Sequence, residues 1–574
     1  MKSRLQTTVV KLFIALFPII ACYIYFRYVV PYHVCFKEQI QLFVYSSTDI
    51  LPYFSKPAIL ACLGGDFLTQ FLYSKTGGAV VITLLLVAEW GLIFLTLKRF
   101  AAASRHDTFL LLWSLFPVAI EWILYPKYSF SLALSVSFII AILAFFFYTK
   151  AKGKIAILVG VLMIPALYMI GGASVFLFAF LAILYDIKRG RNRFVYWLFI
   201  VGLSIILPFI LRLSFLLTLK RAYFYPYSDI VQMLSLVAMA FLAFHEMMGQ
   251  ARHDKLLRQP RHGSTIMIVV LIAAFIAGLV KFTDINQEKI YGVTIEAYHK
   301  NWNKVLEIAE SAELQNHVAA SYTNLALSQK NLMGERLMDF YQPFTSGLFL
   351  PILPEVGNFA IFASSDAYYY VGNMDMAQHA AMVGMIFSPY QRSARLVERL
   401  AEINMKTGDI AAAMKYIRIL ESTLFYRKKV ERLRNISPLE FSMKNIMRSS
   451  NTYEELEFFI INNPDNLPAI NYLLCSCLLT KDISAFFKAY STYFKGKSDH
   501  VPKVYAEALL IYFAVKKTTA KELAEYGIPR EIIKSFDEYT RMYEQYDRSL
   551  APMQKKFPNT YWLFFHFAVK KNNN

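Results

Sequence analysis

The chain has 574 residues, of which 56% are apolar and only 18% are charged, and its formal net charge is +19. Its mean hydropathy of +0.38 is higher than an ordinary soluble domain reaches. Residues up to Val280 carry a net charge of +15, whereas those from Lys281 onward carry +4. The basic residues of the first half sit between apolar runs, as they do in membrane proteins, so the charge does not indicate a nucleic-acid partner.

Long apolar runs fill the first half and are sufficient to cross about 30 Å of hydrocarbon at about 1.5 Å per residue. The runs that predict single spans are residues 12–30, 79–97, 109–125, 129–148, 194–211, 230–247 and 265–280. A further run, residues 155–185, is too long for one span and is interrupted by Gly171 and Gly172. We expect two short helices meeting at the glycines, either as two crossings or as a re-entrant hairpin. The total is nine spans, or seven plus a hairpin.

Lysine and arginine are concentrated in alternate gaps between these runs. With the N-terminus inside, the cytoplasmic segments carry 17 of them and the outer loops carry seven. The 17 are Lys2, Arg4, Lys11, Lys98, Arg99, Arg105, Lys150, Lys152, Lys154, Lys188, Arg189, Arg191, Arg193, Arg252, Lys255, Arg258 and Arg261. The positive-inside rule then predicts a transmembrane domain over residues 1–283 and an extracytoplasmic domain over 284–574, in a bacterial inner membrane.

The second half contains an internal repeat. The segment GNMDMA, which begins at Gly372, recurs 36 residues later as GDIAAA at Gly408. Weaker copies begin at Lys300, Lys330 and Lys481. A period of about 34 to 36 residues with a Gly-Asn or Gly-Asp turn resembles the tetratricopeptide family of helical hairpins. The predicted fold is therefore all-α, a polytopic transmembrane bundle followed by a tetratricopeptide-like α-solenoid.

Sequence motifs for nucleotide or metal enzymes are lacking: no P-loop, HExxH, paired CxxC or GxGxxG pattern occurs. We therefore predict no cofactor and no metal site. The first outer loop, residues 31–78, nevertheless carries polar groups suited to general-base catalysis or substrate binding, Glu38, Gln41, Asp49 and Asp66. Cys35 and Cys62 share this loop, as a disulfide or as two free thiols.

Ionisable residues within the spans are functional candidates because a charge in hydrocarbon is costly unless it is paired or hydrated. Arg27 and Glu121 are expected at similar depth near the outer surface, which predicts an ion pair; the alternative is that Arg27 extends to the interface without this partner. Glu89 lies near mid-membrane, where we expect a neutral carboxyl group. Lys220 and Arg221, followed by four aromatic residues, have a composition suited to a phosphate head group or to an interfacial anchor.

Several stretches carry a resemblance that spans almost the whole chain. They are EQIQLF at Glu38, FLTQF at Phe67, NLAL at Asn324 and TLFYR at Thr423. These are similar to an uncharacterised family of bacterial multi-pass membrane proteins with a tetratricopeptide-like C-terminal half. The architecture also resembles membrane glycosyltransferases that use polyprenyl-phosphate sugar donors, although the adjacent acidic pair often seen after their first span is absent here.

Two functional hypotheses follow. In the first, the membrane domain anchors a repeat scaffold that binds an extracytoplasmic protein or glycan in cell-envelope processes. In the second, the protein is a transferase acting on a polyprenyl-phosphate substrate, with Asp49 or Asp66 as base, Glu121 as electrostatic support and Arg221 on the phosphate. A divalent cation enters only under this second hypothesis. A transporter is a third, less favoured hypothesis because few polar residues lie within the spans.

Overall fold

The computed structural model describes residues 16–101, 107–251, 261–312, 314–353, 357–439, 452–517, 523 and 525–569. Within these residues every regular element is a helix and no strand occurs, which confirms the all-α prediction. The chain forms two compact units. Unit 1 comprises Met1–Ile285 with Ser422–Phe425, and unit 2 comprises Asn286–Glu421 with Tyr426–Asn574. Some basic residues of the predicted cytoplasmic segments lie outside the described residues: Lys2, Arg4, Lys11, Arg105, Arg252, Lys255 and Arg258.

Unit 1 is built from apolar helices joined by short connections. They are α1 (Leu16–Val29), α2 (Pro31–Gln39), α3 (Ser47–Ile50), α4 (Ile59–Thr69), α5 (Lys75–Phe100), α6 (Asp107–Trp113), α7 (Leu115–Leu124), α8 (Leu132–Lys150), α9 (Gly153–Gly171), α10 (Val175–Lys188), α11 (Phe194–Ser214), α12 (Leu219–Phe224), α13 (Leu234–Ala251) and α14 (Arg261–Phe282).

Six helical segments among the described residues are long and apolar enough to cross a membrane. They are Lys75–Phe100, Asp107–Leu124, Leu132–Lys150, Gly153–Lys188, Phe194–Ser214 and Val231–Met248. The bent pair α1 and α2 is a seventh candidate. The two helices meet at 70°, because Pro31 starts a new helix immediately after Val30 has left the helical conformation. The end of α14, Ile272–Phe282, is also apolar.

The segment Gly153–Lys188 folds back on itself. Its 36 residues would extend about 54 Å as one straight helix. Instead, Arg193, just after α10, donates from Nη2 to the carbonyl of Gly153 at the start of α9, at 2.9 Å. The reversal occurs at Gly172, whose φ of +72° favours glycine. The structure thus has a helical hairpin at the predicted glycines, with both ends on one side of unit 1.

The first outer loop of the sequence prediction is largely helical. Helix α4 packs closely on α8. The closeness is evident at Gly65, where an added Cβ atom would lie 2.2 Å from the backbone nitrogen of Ala133. Cys35 and Cys62 are both buried here, and no disulfide joins them. Residues 422–425 belong to the same unit, and the Phe425 ring stacks on Tyr73 with centroids 5.3 Å apart.

Unit 2 consists of successive short helices joined by tight turns. They are α15 (Ile285–Tyr298), α16 (Trp302–Glu310), α17 (His317–Gln329), α18 (Met333–Arg336), α19 (Gly357–Val371), α20 (Met374–Phe387), α21 (Ala394–Lys406), α22 (Ile410–Glu421), α23 (Val430–Arg434), α24 (Thr452–Asn462), α25 (Leu467–Leu479), α26 (Ile483–Ala489), α27 (Lys503–Lys516), α28 (Arg530–Gln545), α29 (Leu550–Lys556) and α30 (Tyr561–Phe567).

One turn conformation recurs in unit 2 at each copy of the sequence repeat. The residues with positive φ at these turns are Lys300, Asn331, Gly372, Gly408 and Lys481. At three of the turns the next residue caps the following helix: Asn373 accepts from the Met376 N–H, Asp409 from Ala412 and Asp482 from Ala485. A left-handed residue ends one helix and the cap starts the next, so the short repeat motif is sufficient to reverse the chain.

Candidate functional site

A stripe of charged residues runs along α21. Arg395, Glu398, Arg399 and Glu402 occupy positions i, i+3, i+4 and i+7, so they share one face of the helix. Such a stripe is usually solvent-exposed, yet these residues are only 2%, 3%, 7% and 6% exposed. Buried charges require partners, so the neighbouring helices must supply them.

Asp366 on α19 neutralises the two arginines of the stripe. Its Oδ1 accepts from Nη2 of Arg399 at 2.8 Å, and its Oδ2 accepts from Arg395 and, at 3.1 Å, from the Tyr322 hydroxyl. Burial opposes the ionised form of Asp366, but the two guanidinium groups outweigh it and hold the pKa of Asp366 below its usual value. The aspartate is therefore ionised and joins α19 to α21.

The two glutamates of the stripe are held by residues that follow α22. Glu398 accepts from Nζ of Lys429 at 2.8 Å and from Nη2 of Arg432 at 2.6 Å, and the Tyr298 hydroxyl also donates to it. Arg432 reaches Glu402 as well, at 3.1 Å. Burial alone would raise the pKa of Glu398, but the charge of Lys429 lowers it overall. Both carboxylates are thus fixed in position by cations.

These groups surround a pocket of about 150 Å³, which we call the α21 pocket. Its lining residues are Tyr298, His299, Lys300, Arg395, Glu398, Arg399, Glu402, Lys429 and Arg432. Five of them are lysine or arginine and two are glutamate, so with Asp366 behind the wall the cluster retains a surplus of positive charge. Lys300 is exposed at the pocket, and the Arg432 side chain is 52% exposed.

The surplus charge also affects a neighbouring lysine. Burial, together with the nearby charge of Arg399, lowers the pKa of Lys406 on α21. A bound anion would relieve this crowding of like charges. Arginine and lysine groups that converge on a small volume bind carboxylate, phosphate or sulfate groups. The α21 pocket is thus suited to binding a small acidic group.

The residues proposed from the sequence in the first outer loop are dispersed. Asp49, on the short helix α3, accepts from the Ser46 hydroxyl at 2.5 Å. Asp66 is buried in α4 and accepts from the Tyr53 hydroxyl at 2.7 Å. Glu38 is buried in α2, and Gln41 is half-buried just after it. These four residues lie in different segments of unit 1.

The predicted ion pair between Arg27 and Glu121 does not form in the structure. Glu121 accepts from Ser135 Oγ at 2.5 Å and from Ser235 Oγ at 2.8 Å. Arg27 instead lies over the Tyr28 ring, 5.0 Å from its centroid. Two residues at similar depth in a membrane need not face each other. Here Glu121 is directed into the helix bundle, whereas Arg27 is only half-buried.

Lys220 and Arg221 are exposed on the short helix α12, as the head-group hypothesis requires. Tyr225, which follows this helix, lies within electrostatic range of both Arg221 and Asp66. Its hydroxyl also accepts from the Cys62 thiol at 3.6 Å. Tyr225 is thus a residue that both Asp66 and Arg221 influence electrostatically.

The sequence interpretation missed the α21 pocket. Its signal was the motif RxxERxxE at Arg395, which places alternating charges on one face of a helix. Periodicity alone assigns that face to solvent. Tyr298 and Tyr322, which cover the face, come from helices about 70 to 100 residues earlier in the chain, and no local pattern predicts such packing.

The fold and the site define a class: an all-helical protein in which apolar helices long enough to cross a membrane accompany a unit of short helices with a charged pocket. The chain belongs to a family described as "Family of unknown function (DUF6057)", whose model matches residues 5–568. No curated protein and no solved structure matches the chain. Among the described residues, no group of three or more His, Cys, Asp or Glu side chains is placed to hold a metal ion.

Proposed function

We propose that this protein is an integral protein of a bacterial cytoplasmic membrane whose unit 2 binds an acidic partner outside the cytoplasm. Unit 1 acts as the membrane anchor, since its helices have the length and hydropathy of spans. The helix pairs of unit 2 are tetratricopeptide-like, and stacked helical hairpins of this kind form binding surfaces. The partner is a protein or a glycan of the cell envelope.

The surplus of basic residues around the α21 pocket carries this proposal. Arg395 and Arg399 are committed to Asp366, so they form the rigid floor of the pocket. Lys300 and Arg432 are the cations with the greatest access to solvent, and they would contact the acidic group first. A pocket of about 150 Å³ fits a single carboxylate or a sugar acid, not an extended chain.

Combined replacement of Lys300 and Arg432 by alanine tests this function. We expect glucuronate to raise the thermal unfolding midpoint of the full-length protein in detergent, and we expect the double variant to bind it at least about tenfold more weakly. A charged hydrogen bond contributes about 1.5–3 kcal/mol, which corresponds to that loss. Differential scanning fluorimetry over a glucuronate series, with glucose as the uncharged control, measures both quantities.

The matched control is Lys304→Ala, which removes an exposed lysine paired with Glu307 on α16. This variant should respond to glucuronate as the unchanged protein does. An equal response in all three proteins, or no response in any of them, would refute a binding role for the α21 pocket.

The transferase alternative has one supporting observation. Asp66 and Arg221 share the neighbourhood of Tyr225, so a base and a phosphate-binding cation are near one another. The described hydrogen bonds of Asp49 and Glu121 are to serine hydroxyl groups. These bonds give no support to the catalytic roles that the transferase alternative assigns to the two residues. A polyprenyl-phosphate substrate and a divalent cation belong to this alternative only.

A further inference from the structure

Two carboxyl groups meet inside unit 1. Glu89 is on α5 and Glu121 is on α7, and both side chains are completely buried, with 0% exposure. Each adjoins the other and Ser135 of α8. Two acidic residues placed together among apolar helices are costly unless a ligand or a proton compensates them.

The hydrogen bonds to these groups are unequal. Glu121 accepts from both Ser135 and Ser235, so both of its oxygens have donors. Glu89 has none: among the described residues neither of its oxygens has a partner with normal hydrogen-bond geometry. A completely buried carboxyl group without a donor, facing a second carboxyl group, requires a physical explanation.

No basic side chain faces the pair in the part of the chain that the structure describes. The titratable groups around it are neutral acids: Tyr125 after α7, Tyr227 before α13 and Cys22 on α1. Ionisable groups on the other packed elements make their described contacts with other groups, although Lys37 Nζ also lies 5.4 Å from the centroid of the Tyr125 ring. Lys37 on α2 donates to the carbonyls of Tyr125 and Phe130, Asp107 on α6 pairs with Lys98, His245 pairs with Glu246 on α13, and Arg27 on α1 lies over Tyr28.

We propose that Glu89 and Glu121 form a proton-binding site in which the two carboxyl groups share one proton. The shared proton supplies the donor that Glu89 lacks and removes the repulsion between two buried negative charges. The Tyr125 hydroxyl is hydrogen-bonded to Ser135 Oγ at 2.6 Å, and Ser135 donates to Glu121. Tyr125 therefore continues the chain of exchangeable protons from the pair to the C-terminal end of α7. This site is separate from the α21 pocket and gives unit 1 a task of its own.

Infrared spectroscopy of the full-length protein tests this site without a ligand or an activity assay. A protonated carboxyl group has a carbonyl stretch that is separate from carboxylate bands and shifts in D2O. At pH 9, where an exposed glutamate is ionised and where Glu507, whose pKa burial raises to about 7, is ionised as well, the unchanged protein should show such a band in a detergent without ester groups. Labelling the glutamates with 13C should shift the band, which assigns it to glutamate in the unchanged chain.

The variants Glu89→Gln and Glu121→Gln then locate the proton. Glutamine resembles a protonated glutamate in size and charge, so both variants should fold. Each should remove the shared-proton band or shift it to the frequency of a single carboxyl group. Asp186→Asn is the matched control, because Asp186 is equally buried but lies 3.3 Å from Arg191 and 3.8 Å from Arg193, and its removal should leave the glutamate band unchanged. Absence of a 13C-sensitive carboxyl band in the unchanged protein, or its persistence at the same frequency in both glutamine variants, would overturn the proposal.

Discussion

Replacing Asp366 by alanine is expected to reduce the stability of unit 2 by about 3–5 kcal/mol, the usual cost of removing one partner from a buried charge network. Asp366 is the shared acceptor of Arg395 and Arg399, whose side chains are 2% and 8% exposed. Without it, the two guanidinium groups lose the carboxylate that they share, and Arg395 loses its charged partner. Glu402 still reaches Arg399 at 2.6 Å, whereas the described hydrogen bonds that remain to Arg395 are to two uncharged groups, the Thr294 carbonyl and the Tyr322 hydroxyl.

Amide hydrogen exchange of the full-length protein measures this effect, since the opening free energies of α19 and α21 report the local stability directly. Asp409→Ala is a suitable control, because it removes an exposed helix cap and should cost only about 0.5–2 kcal/mol. Exchange in α19 and α21 that changes no more in Asp366→Ala than in the control would mean that the network does not hold these helices together.

The effect of Asp366 should also depend on pH. Because the folded state lowers the pKa of this carboxyl group, its contribution is fully present above the pKa of the unfolded chain, about 3.9, and is lost as the pH falls toward the lower, folded value. The stability difference between the unchanged protein and Asp366→Ala should therefore shrink in acid below about pH 4.

Replacing Gly172 by valine is expected to destabilise unit 1 by about 2–5 kcal/mol. The left-handed backbone conformation costs a residue with a side chain about 1–2 kcal/mol. Overpacking adds about 1–3 kcal/mol, because a Cβ atom here would lie 2.3 Å from the carbonyl oxygen of Tyr225 and 2.9 Å from the Cβ of Ala58. The α9–α10 hairpin and the connection after α12 would both have to move.

Size-exclusion chromatography after a heating series, detected through tryptophan fluorescence, measures this loss as a lower midpoint for the monodisperse peak. Gly202→Ala on α11 is the control, because an added Cβ meets nothing within 4 Å and alanine favours a helix by about 1 kcal/mol. Equal midpoints for Gly172→Val and the unchanged protein would show that the chain does not turn tightly at this glycine.

Much of the fold was predictable because its signals are local. The two adjacent glycines marked the α9–α10 reversal, and the Gly-Asn and Gly-Asp pairs marked the repeat turns, since both depend on the conformational freedom of one residue. The candidate spans were also predictable, because the length of an apolar run is a local property of the sequence. The bend after Val30 was missed, because the apolar run of α1 continues up to Pro31 and hides the change of direction.

The candidate site was less accessible to sequence reasoning because its residues meet only through tertiary packing. Depth along the helix paired Arg27 with Glu121, but the helix face decided the outcome, and Ser135 and Ser235 bind Glu121 instead. Glu89 was expected to carry a neutral carboxyl group with a structural role. Nothing in the local pattern indicated that Glu121 adjoins it. The arginines of α21 do not by themselves indicate a site, because Tyr322 and Asp366, which bury them, are distant in the sequence.

Reporter fusion after Asn574 is the most direct test of whether unit 2 lies outside the cytoplasm, as partner binding in the cell envelope requires. Alkaline phosphatase is active only after export, whereas green fluorescent protein exported in unfolded form is dark. We predict an active phosphatase fusion and a dark fluorescent-protein fusion. A bright fluorescent-protein fusion with an inactive phosphatase would place unit 2 in the cytoplasm and contradict the proposed function.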